Sequence, residues 1–558
     1  MPAIALFNYK YKFYFLFIYL FIFIFLFNPL NAASSHTDIN TDINTDTETS
    51  SNHTNFFNVN FDLPSVSRFG KEIQPVSNKN ISTEFYKNNI FPNPLYLNQA
   101  IAIGLTHNLH VRLQMNQRSV QVYDLLQAQT AFEPQLTLSG GVSYNENNST
   151  GTPEFKNQSA NIGPGLSWTL PWGMQIQSSI NYEPTYQNSA GENNPAYWEN
   201  NFGYSITITQ PLLQNFGTKV NEVGLDNAYD QQIIDDLNFR KTLQSTLIQI
   251  ISDYYNALSA MLSEKLAYQN LQDASQELKQ REAKFNAGQT PQIDLIQARL
   301  DLMTAQQAEE NAKQTLENAK TTLLSTLGLS SQQAPELYLD PNAADNPLLE
   351  DQPKNLVLSE AITTGLKNNT NLKIDLLENQ QAKRNIIKSE DAQRWSLDLT
   401  ANTSKSYSNN TNPYLNTATQ MASNSSVGLN LTIPLDQTSL NQTELSAAVS
   451  LNNTEITQAQ EKTDLVNQIT AGLENLNNQR AELAFSKTRL KLAKLTYQAA
   501  QIKYQYGKID AFSLQQQKEN QTNAEQTLIN AKINYLKQAL NYEALTGTLL
   551  NRFNIHIS

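Results

Sequence analysis

Residues able to do chemistry are few in this 558-residue chain, and their spacing does not suit it. Of its five histidines, His36, His53, His107, His110 and His556, only His107 and His110 can share a helix face. A metal centre needs three or four ligands, and no third stands near that pair. The chain has no cysteine, which removes thiolate sites, disulfides and a lipid-bearing cysteine together. It has no glycine-rich phosphate loop and no nucleophile beside a partnered base. The expectation is a protein without metal or cofactor that is not an enzyme and cannot power transport with nucleotide.

The placement of turn-forming residues is more informative. FNAGQTPQIDL (Phe285 to Leu295) and YQYGKIDAFSL (Tyr504 to Leu514) each put one glycine, Gly288 or Gly507, between two long proline-poor stretches. Glycine takes the left-handed conformation that ends a helix, and Thr290 before Pro291 reads as an N-cap with proline at the first helical position. These are elbows joining antiparallel helices. Asp294, read alone, is a first-turn carboxylate favoured by the helix dipole.

The elbows belong to a duplicated frame. LYLNQAIAIGLTHN (Leu95 to Asn108) matches LVLSEAITTGLKNN (Leu356 to Asn369), and LLSTLGL (Leu323 to Leu329) matches YEALTGTL (Tyr542 to Leu549). The first unit carries about 42 residues more than the second. Within each, the apolar period is helical, becomes two, and returns to helical. Leu136, Leu138, Val142 and Tyr144 alternate with polar residues, as do Leu166 and Trp168, Ile176, Ile180 and Tyr182, and Tyr204, Ile206 and Ile208. Leu397 and Leu399, then Val427, Leu429 and Leu431, do so in the second half. This predicts two to four strands in the first unit and two in the second. A sevenfold spacing follows in Leu247, Tyr254, Met261 and Tyr268 and in Ile469, Leu476, Leu483 and Leu490, the seam of a coiled coil. Ala298, Ala305, Ala312 and Ala319 form a small-residue stripe on the returning helix.

Residues 1–33 read as a signal peptide: Lys10 and Lys12, an apolar run from Phe13 to Phe27, then Ala32 and Ala33. Residues 34–90 are rich in Ser, Thr, Asn and Asp and are expected to be a flexible leader. The first unit then spans 91–340 (strands about 136–210, helices about 220–328), with a linker at 341–355. The second spans 356–550 (strands about 397–434, helices about 438–547), and 551–558 is a tail. No later run is apolar enough for a membrane helix, so any membrane segment is made of strands. A net charge of −12 and a pI near 5.1 argue against nucleic acid. The smallest closed membrane barrels have about 8 strands, so several chains must share one barrel. An adhesive coiled-coil surface protein and a single-chain porin are the other readings of the same pattern.

The duplicated AI…GL…N helix, the QPLL…G segment (Gln210 to Gly217), the glycine elbows and the terminal LTGTL together resemble the TolC family of outer-membrane efflux proteins. The resemblance covers nearly everything beyond residue 90. It implies an α+β membrane protein with a two-fold internal repeat, a long α-helical coiled-coil barrel and a shared transmembrane β-barrel. It further implies a homotrimer in the outer membrane of a Gram-negative bacterium, in contact with outer-membrane lipid and extending into the periplasm. Such a protein is a passive exit duct of a tripartite efflux or type I secretion system, working with a periplasmic adaptor and an inner-membrane pump. In that family an aspartate at the first elbow guards the inner mouth and pairs with a tyrosine and an arginine of the second repeat. Asp294 and Tyr504 match the first two, the arginine position is Ile509, and the positions of an acidic ring read Ser513 and Gln516. Gly288, Thr290, Pro291, Gly507 and Lys508 are the implied adaptor-docking residues. A hairpin at about 164–198 has no counterpart in the second unit.

Overall fold

The computed structural model describes residues 59–61, 94–147, 155–189, 196–330, 337–340, 357–410 and 420–557. The expected signal peptide and the linker lie outside these residues, as does the leader apart from 59–61. All described residues belong to one unit, Phe56–Ser558.

Six strands form one antiparallel sheet in sequence order: β2 (Gln135–Asn147), β3 (Phe155–Thr169), β4 (Gln175–Ser189), β5 (Tyr197–Pro211), β6 (Ser396–Asn410) and β7 (Gln420–Thr432). The first half thus supplies four strands and the second two, and the additional hairpin is part of the sheet. Register fixes which side chains share a face. Leu136 stands opposite Leu166, Ile206 opposite Ser178, and Ile208 opposite Ile176 and Ala401. One face therefore carries Leu136, Leu138, Val142, Leu166, Ile162, Ile180, Ile206, Leu399, Val427 and Leu429, and the other carries mainly Ser, Thr, Asn, Gln and Gly with Glu183, Glu199 and Asp398 among them. The apolar face is uncovered among the described residues, Val142 being 88% and Val427 76% exposed. At one end of the sheet the strands run into helices and the short turn at Leu170 to Met174; at the other lie the longer connections 148–154, 190–196 and 411–419.

Around the sheet the same order of helices is met twice. In the first half α1 (Leu97–His107) and α2 (Leu109–Thr130) precede β2; the short α3 (Thr218–Asn221) then leads from β5 into the rod α4 (Val223–Asn286) and its return α5 (Gln292–Leu327). In the second, α6 (Leu358–Asn368) and α7 (Thr370–Ala392) precede β6, and the rod α8 (Thr438–Gln505) and its return α9 (Ala511–Leu545) follow β7. The 64 residues of α4 and 68 of α8 span about 96 and 102 Å at 1.5 Å per residue.

The seam of each rod forms its core. Phe239, Leu243, Leu247, Ile250, Ile251 and Tyr254 of α4 are buried with Leu105 of α1 and Leu323 and Leu327 of α5. Each fully buried side chain of this size contributes roughly 1.5–3 kcal/mol. Leu465, Ile469, Leu473 and Leu476 of α8 form a second cluster with Ala361 and Tyr535. Both entry helices need a glycine where they cross the rod: a Cβ on Gly104 would lie 2.4 Å from Ile250 Cδ1, and one on Gly365 2.4 Å from Ile469 Cδ1. Tyr268, expected in the seam, is 48% exposed, because α1 and α2 cover only the half of α4 nearer the sheet.

The segment expected to be a flexible leader and the C-terminal tail each carry a short strand. β1 (Val59–Phe61), within the expected leader, pairs in parallel with β8 (Ile555–Ile557), within the expected tail. Val59 and Phe61, like Ile555 and Ile557, alternate with polar residues, the period of a strand. The tail is further tied down by α10 (Leu549–Arg552), whose Leu549 is buried.

Candidate gate at the helix elbows and candidate self-association edges

Both rods end in the same hydrogen-bonded turn. At the first, the Gly288 N–H donates to the Phe285 carbonyl (2.9 Å) and the Gln289 N–H to the Lys284 carbonyl (2.9 Å). At the second, Gly507 donates to Tyr504 (2.9 Å) and Lys508 to Lys503 (2.8 Å). Gly288 has φ +71° and Gly507 +66°, with nothing within 4 Å of an added Cβ, so backbone conformation alone demands glycine. Pro291 proves to be the N-cap of α5 (φ −72°, ψ 157°), so the helix begins one residue later than expected. Its extended ψ holds it before the first turn, where its carbonyl accepts the Asp294 N–H at 3.2 Å. The Thr290 hydroxyl is not a cap; it donates to Asp294 Oδ2 at 2.8 Å.

Asp294 finds its positive partner in its own hairpin. Arg281 of α4 lies 3.6 Å from the Asp294 carboxylate and 3.3 Å from Glu277, with its side chain only 11% exposed. Charge is thus supplied from within the first elbow, where the family pattern expects the second repeat to provide it. Tyr504 is met by the Lys284 ammonium, 5.7 Å from the ring centroid, a cation–π contact that joins the first hairpin to the second. A second link between the hairpins is the Lys518–Asp273 ion pair at 2.8 Å. Ser513 donates its backbone N–H to the Asp510 carboxylate (2.8 Å), and the hydrogen bonds from Ser513 hold the Asp510 carboxyl below the usual range. Gln516 and Lys508 are exposed.

Sequence reasoning missed Arg281, Lys284, Asp273, Lys518 and the cap Asp510. Arg281 and Asp294 stand seven residues before and six after Gly288, so an antiparallel hairpin brings them level. Asp510 three residues before Ser513 is an ordinary N-cap signal. His107 binds locally, its Nδ1 2.6 Å from the Thr106 hydroxyl and 3.2 Å from the Ile103 carbonyl.

The chain also exposes apolar stripes at its two lateral edges. Near the sheet, α2 shows Leu109, Leu113 and Val120, and α8 shows Leu445, Val449 and Ile456, both with i, i+4, i+11 spacing. Near the elbows, α5 shows Ile293, Ile296, Leu300 and Met303, and α8 shows Leu492, Leu495 and Ile502. Inside the chain, the corresponding levels are closed by α4 packing on α7 and by α4 packing on α9.

No curated protein matches the sequence. The family model described as outer membrane efflux protein matches residues 175–329 and 362–548, so β2 and β3 precede its first matched segment. Among solved structures, the fold is similar to the outer membrane protein VceC of Vibrio cholerae, with a TM-score of 0.58 and 11% identity over 81% of this chain and 96% of that one. It is similar also to the CmeC outer membrane channel of Campylobacter jejuni, with a TM-score of 0.57 and 14% identity over 88% and 95%. For the open state of the MtrE outer membrane channel of Neisseria gonorrhoeae the values are 0.56 and 15% over 81% and 89%. With a family model matching well over half its length, this chain belongs to the outer membrane efflux protein family, passive channel components of efflux systems that sit in the outer membrane and extend into the periplasm.

Proposed function

We propose that three copies of this chain, each built from two copies of one unit, close a common β-barrel in the outer membrane and a helical tunnel below it. The assembly is the exit duct of a tripartite efflux or type I secretion machine, docked at its elbows to a periplasmic adaptor and through it to an inner-membrane pump. The observation that carries this reading is the match between the two lateral edges. The outer sides of β2 and β7 have no strand partner among the described residues, both strands have 13 residues, and the helix beside each exposes a stripe at the same level. The junction inside the chain, β5 on β6 with α4 on α7, is a template for β7 on β2 with α8 on α2 between copies. An open edge would leave backbone groups unsatisfied in hydrocarbon, so the sheet must close before it can sit in a membrane.

The elbows are proposed as the gate. Opening the inner mouth requires the two hairpins of each copy to separate, and Lys284–Tyr504 and Asp273–Lys518 oppose that movement. Electron microscopy of the detergent-extracted oligomer tests the assembly: three copies around one barrel and tunnel are expected, and a stable monomer would sink the proposal. Deletion of the gene should lower tolerance to exported compounds or abolish a secreted product; unchanged tolerance and secretion would remove the transport role.

A further inference from the structure

We infer that the outer-membrane segment is an eighteen-stranded, wide pore, which admits bulky cargo. The inference rests on the three-copy closed barrel proposed above and goes beyond it in strand number and in what the lumen can pass. Each chain supplies six strands in one sheet, two of them through the hairpin β3–β4 that the second half lacks. That hairpin has the construction of barrel wall. Its outer ladders are unbroken: β2 pairs with β3 from Gln135 opposite Ser167 to Asn147 opposite Phe155, and β4 with β5 from Gln175 opposite Thr209 to Gln187 opposite Tyr197. Between β3 and β4 the pairing is interrupted around Pro164 and Pro184, which have no N–H to donate, and resumes on either side. Leu166, Ile162, Ile176 and Ile180 continue the apolar face across the hairpin without a gap.

Width follows from strand number. Strands about 4.8 Å apart and tilted by about 40° give eighteen strands a backbone radius of about 18 Å, against about 12 Å for twelve. The inner face holds mainly short side chains, so roughly 25 Å of free diameter remains, in line with barrels of about 16–18 strands that leave an aqueous channel. Among the described residues of that face the charged ones are Glu183, Glu199 and Asp398. Asp398 lies at the helix end of the sheet beside the Ser396 hydroxyl, and Glu199 near the long connections, bonded to Gln187 and Ser408. Between them the wall presents Glu183, opposite Asn201, among Asn161, Ser179, Asn181, Ser205 and Ser404. The Lys156–Glu146 pair and Lys405 are on the lipid-facing side.

The chain lacks cysteine, so engineered pairs report cleanly in the native outer membrane of the full-length protein. Ser143 and Ser159 hydroxyls are 2.6 Å apart across β2 and β3, Ser179 and Ser205 2.9 Å across β4 and β5, and Thr403 and Ser425 3.0 Å across β6 and β7. Oxidation should form all three as intrachain disulfides in separate double-cysteine variants. A bond at T403C/S425C without one at S143C/S159C would place the hairpin outside the barrel and overturn the inference while sparing the barrel; failure of all three would overturn the barrel itself. Ser404→Cys, at mid-wall on β6 and outside the hairpin, should then react with maleimide–polyethylene glycols of stepped size added to intact cells. Excising residues 148–196, which lets β2 pair with β5, should lower the size limit in keeping with an about threefold smaller lumen cross-section, computed from the two radii less about 5 Å of side chain. An unchanged size limit after excision would overturn the wide pore.

Discussion

Removing the Lys284–Tyr504 contact should bias the channel open. The ammonium lies 5.7 Å from the ring centroid, in a partly exposed setting where such a contact contributes about 0.5–1 kcal/mol. In the proposed assembly, three copies opening together multiply this to roughly 1.5–3 kcal/mol, which at about 1.4 kcal/mol per tenfold is a 10- to 150-fold change in the closed-to-open ratio. Tyr504→Ala and Lys284→Ala should each raise the open fraction in single-channel recordings of the purified oligomer by that factor. The double variant should add almost nothing to either, because both remove one interaction. Arg281→Ala, whose partners Glu277 and Asp294 belong to its own hairpin, should leave the ratio within about threefold, the scale of a surface pair. Independent multiplication of the two single effects, or an Arg281→Ala effect as large as that of Tyr504→Ala, would refute a lock between hairpins.

Other perturbations test the frame. Gly104→Ala drives a Cβ to 2.4 Å from Ile250 Cδ1 and should cost about 1–3 kcal/mol by overpacking, read as a lower Tm; an unchanged Tm would mean that α1 does not cross α4 so closely. Val120→Asp on α2 and Val449→Asp on α8 should each lower the fraction of detergent-resistant oligomer while leaving far-ultraviolet dichroism unchanged, and an oligomer indifferent to both would refute the edge-to-edge assembly. Burial, against the opposing Gln231 hydrogen bond and the Arg118 charge, raises the Asp235 carboxyl above its ordinary value. The native state then holds that proton more tightly than the unfolded chain, so the contribution is complete in acid and is lost as pH rises through the raised value. Asp235→Asn never ionises, so its Tm relative to the parent should climb as pH rises above about 4, the ordinary carboxyl value; a constant difference would remove the burial argument.

Much of this fold was legible because rods and wall have different periods. Gly288 and Gly507 mark the elbows, and Leu136 through Tyr144 or Val427 through Leu431 read as half-wet strands, since alternation at two and repetition at seven do not resemble each other. Strand number in the first half was not legible. Pro164 and Pro184 argue locally against central strands, and only the ladders on their far sides show why they are tolerated. The partners of Asp294 and Tyr504 were hidden for another reason. Arg281 and Lys284 are ordinary helix-surface cations in sequence, and they acquire meaning when α5 folds back on α4 and α8 ends beside it. Family pattern supplied the acid and the aromatic ring; the positive charges were supplied from different positions.

The unequal halves point to where the fold tolerates change. In α2 and α4 a buried Arg118 pairs with Asp236, with Asp235 beside it; in α7 and α8 Asn379 and Thr454 stand at the places of Arg118 and Asp235, hydrogen-bonded at 3.4 Å, and Glu455, 3.9 Å from Lys383, at that of Asp236. The buried cation of one half gives way to a neutral amide in the other, which keeps a polar crossing while changing its chemistry. The insertion follows the same logic on a larger scale. Its strands enter between β2 and β5, so α2 and α4, like α7 and α8, still pack as neighbours. A new helix in the trunk would have to satisfy two coiled-coil seams and shift both elbows relative to one another. Two strands need only extend a ladder and continue one apolar face, which lipid covers without complementary packing. In the proposed assembly, the membrane wall can therefore widen while the elbow-bearing trunk, where gate and adaptor contacts reside, keeps its near-equivalent halves.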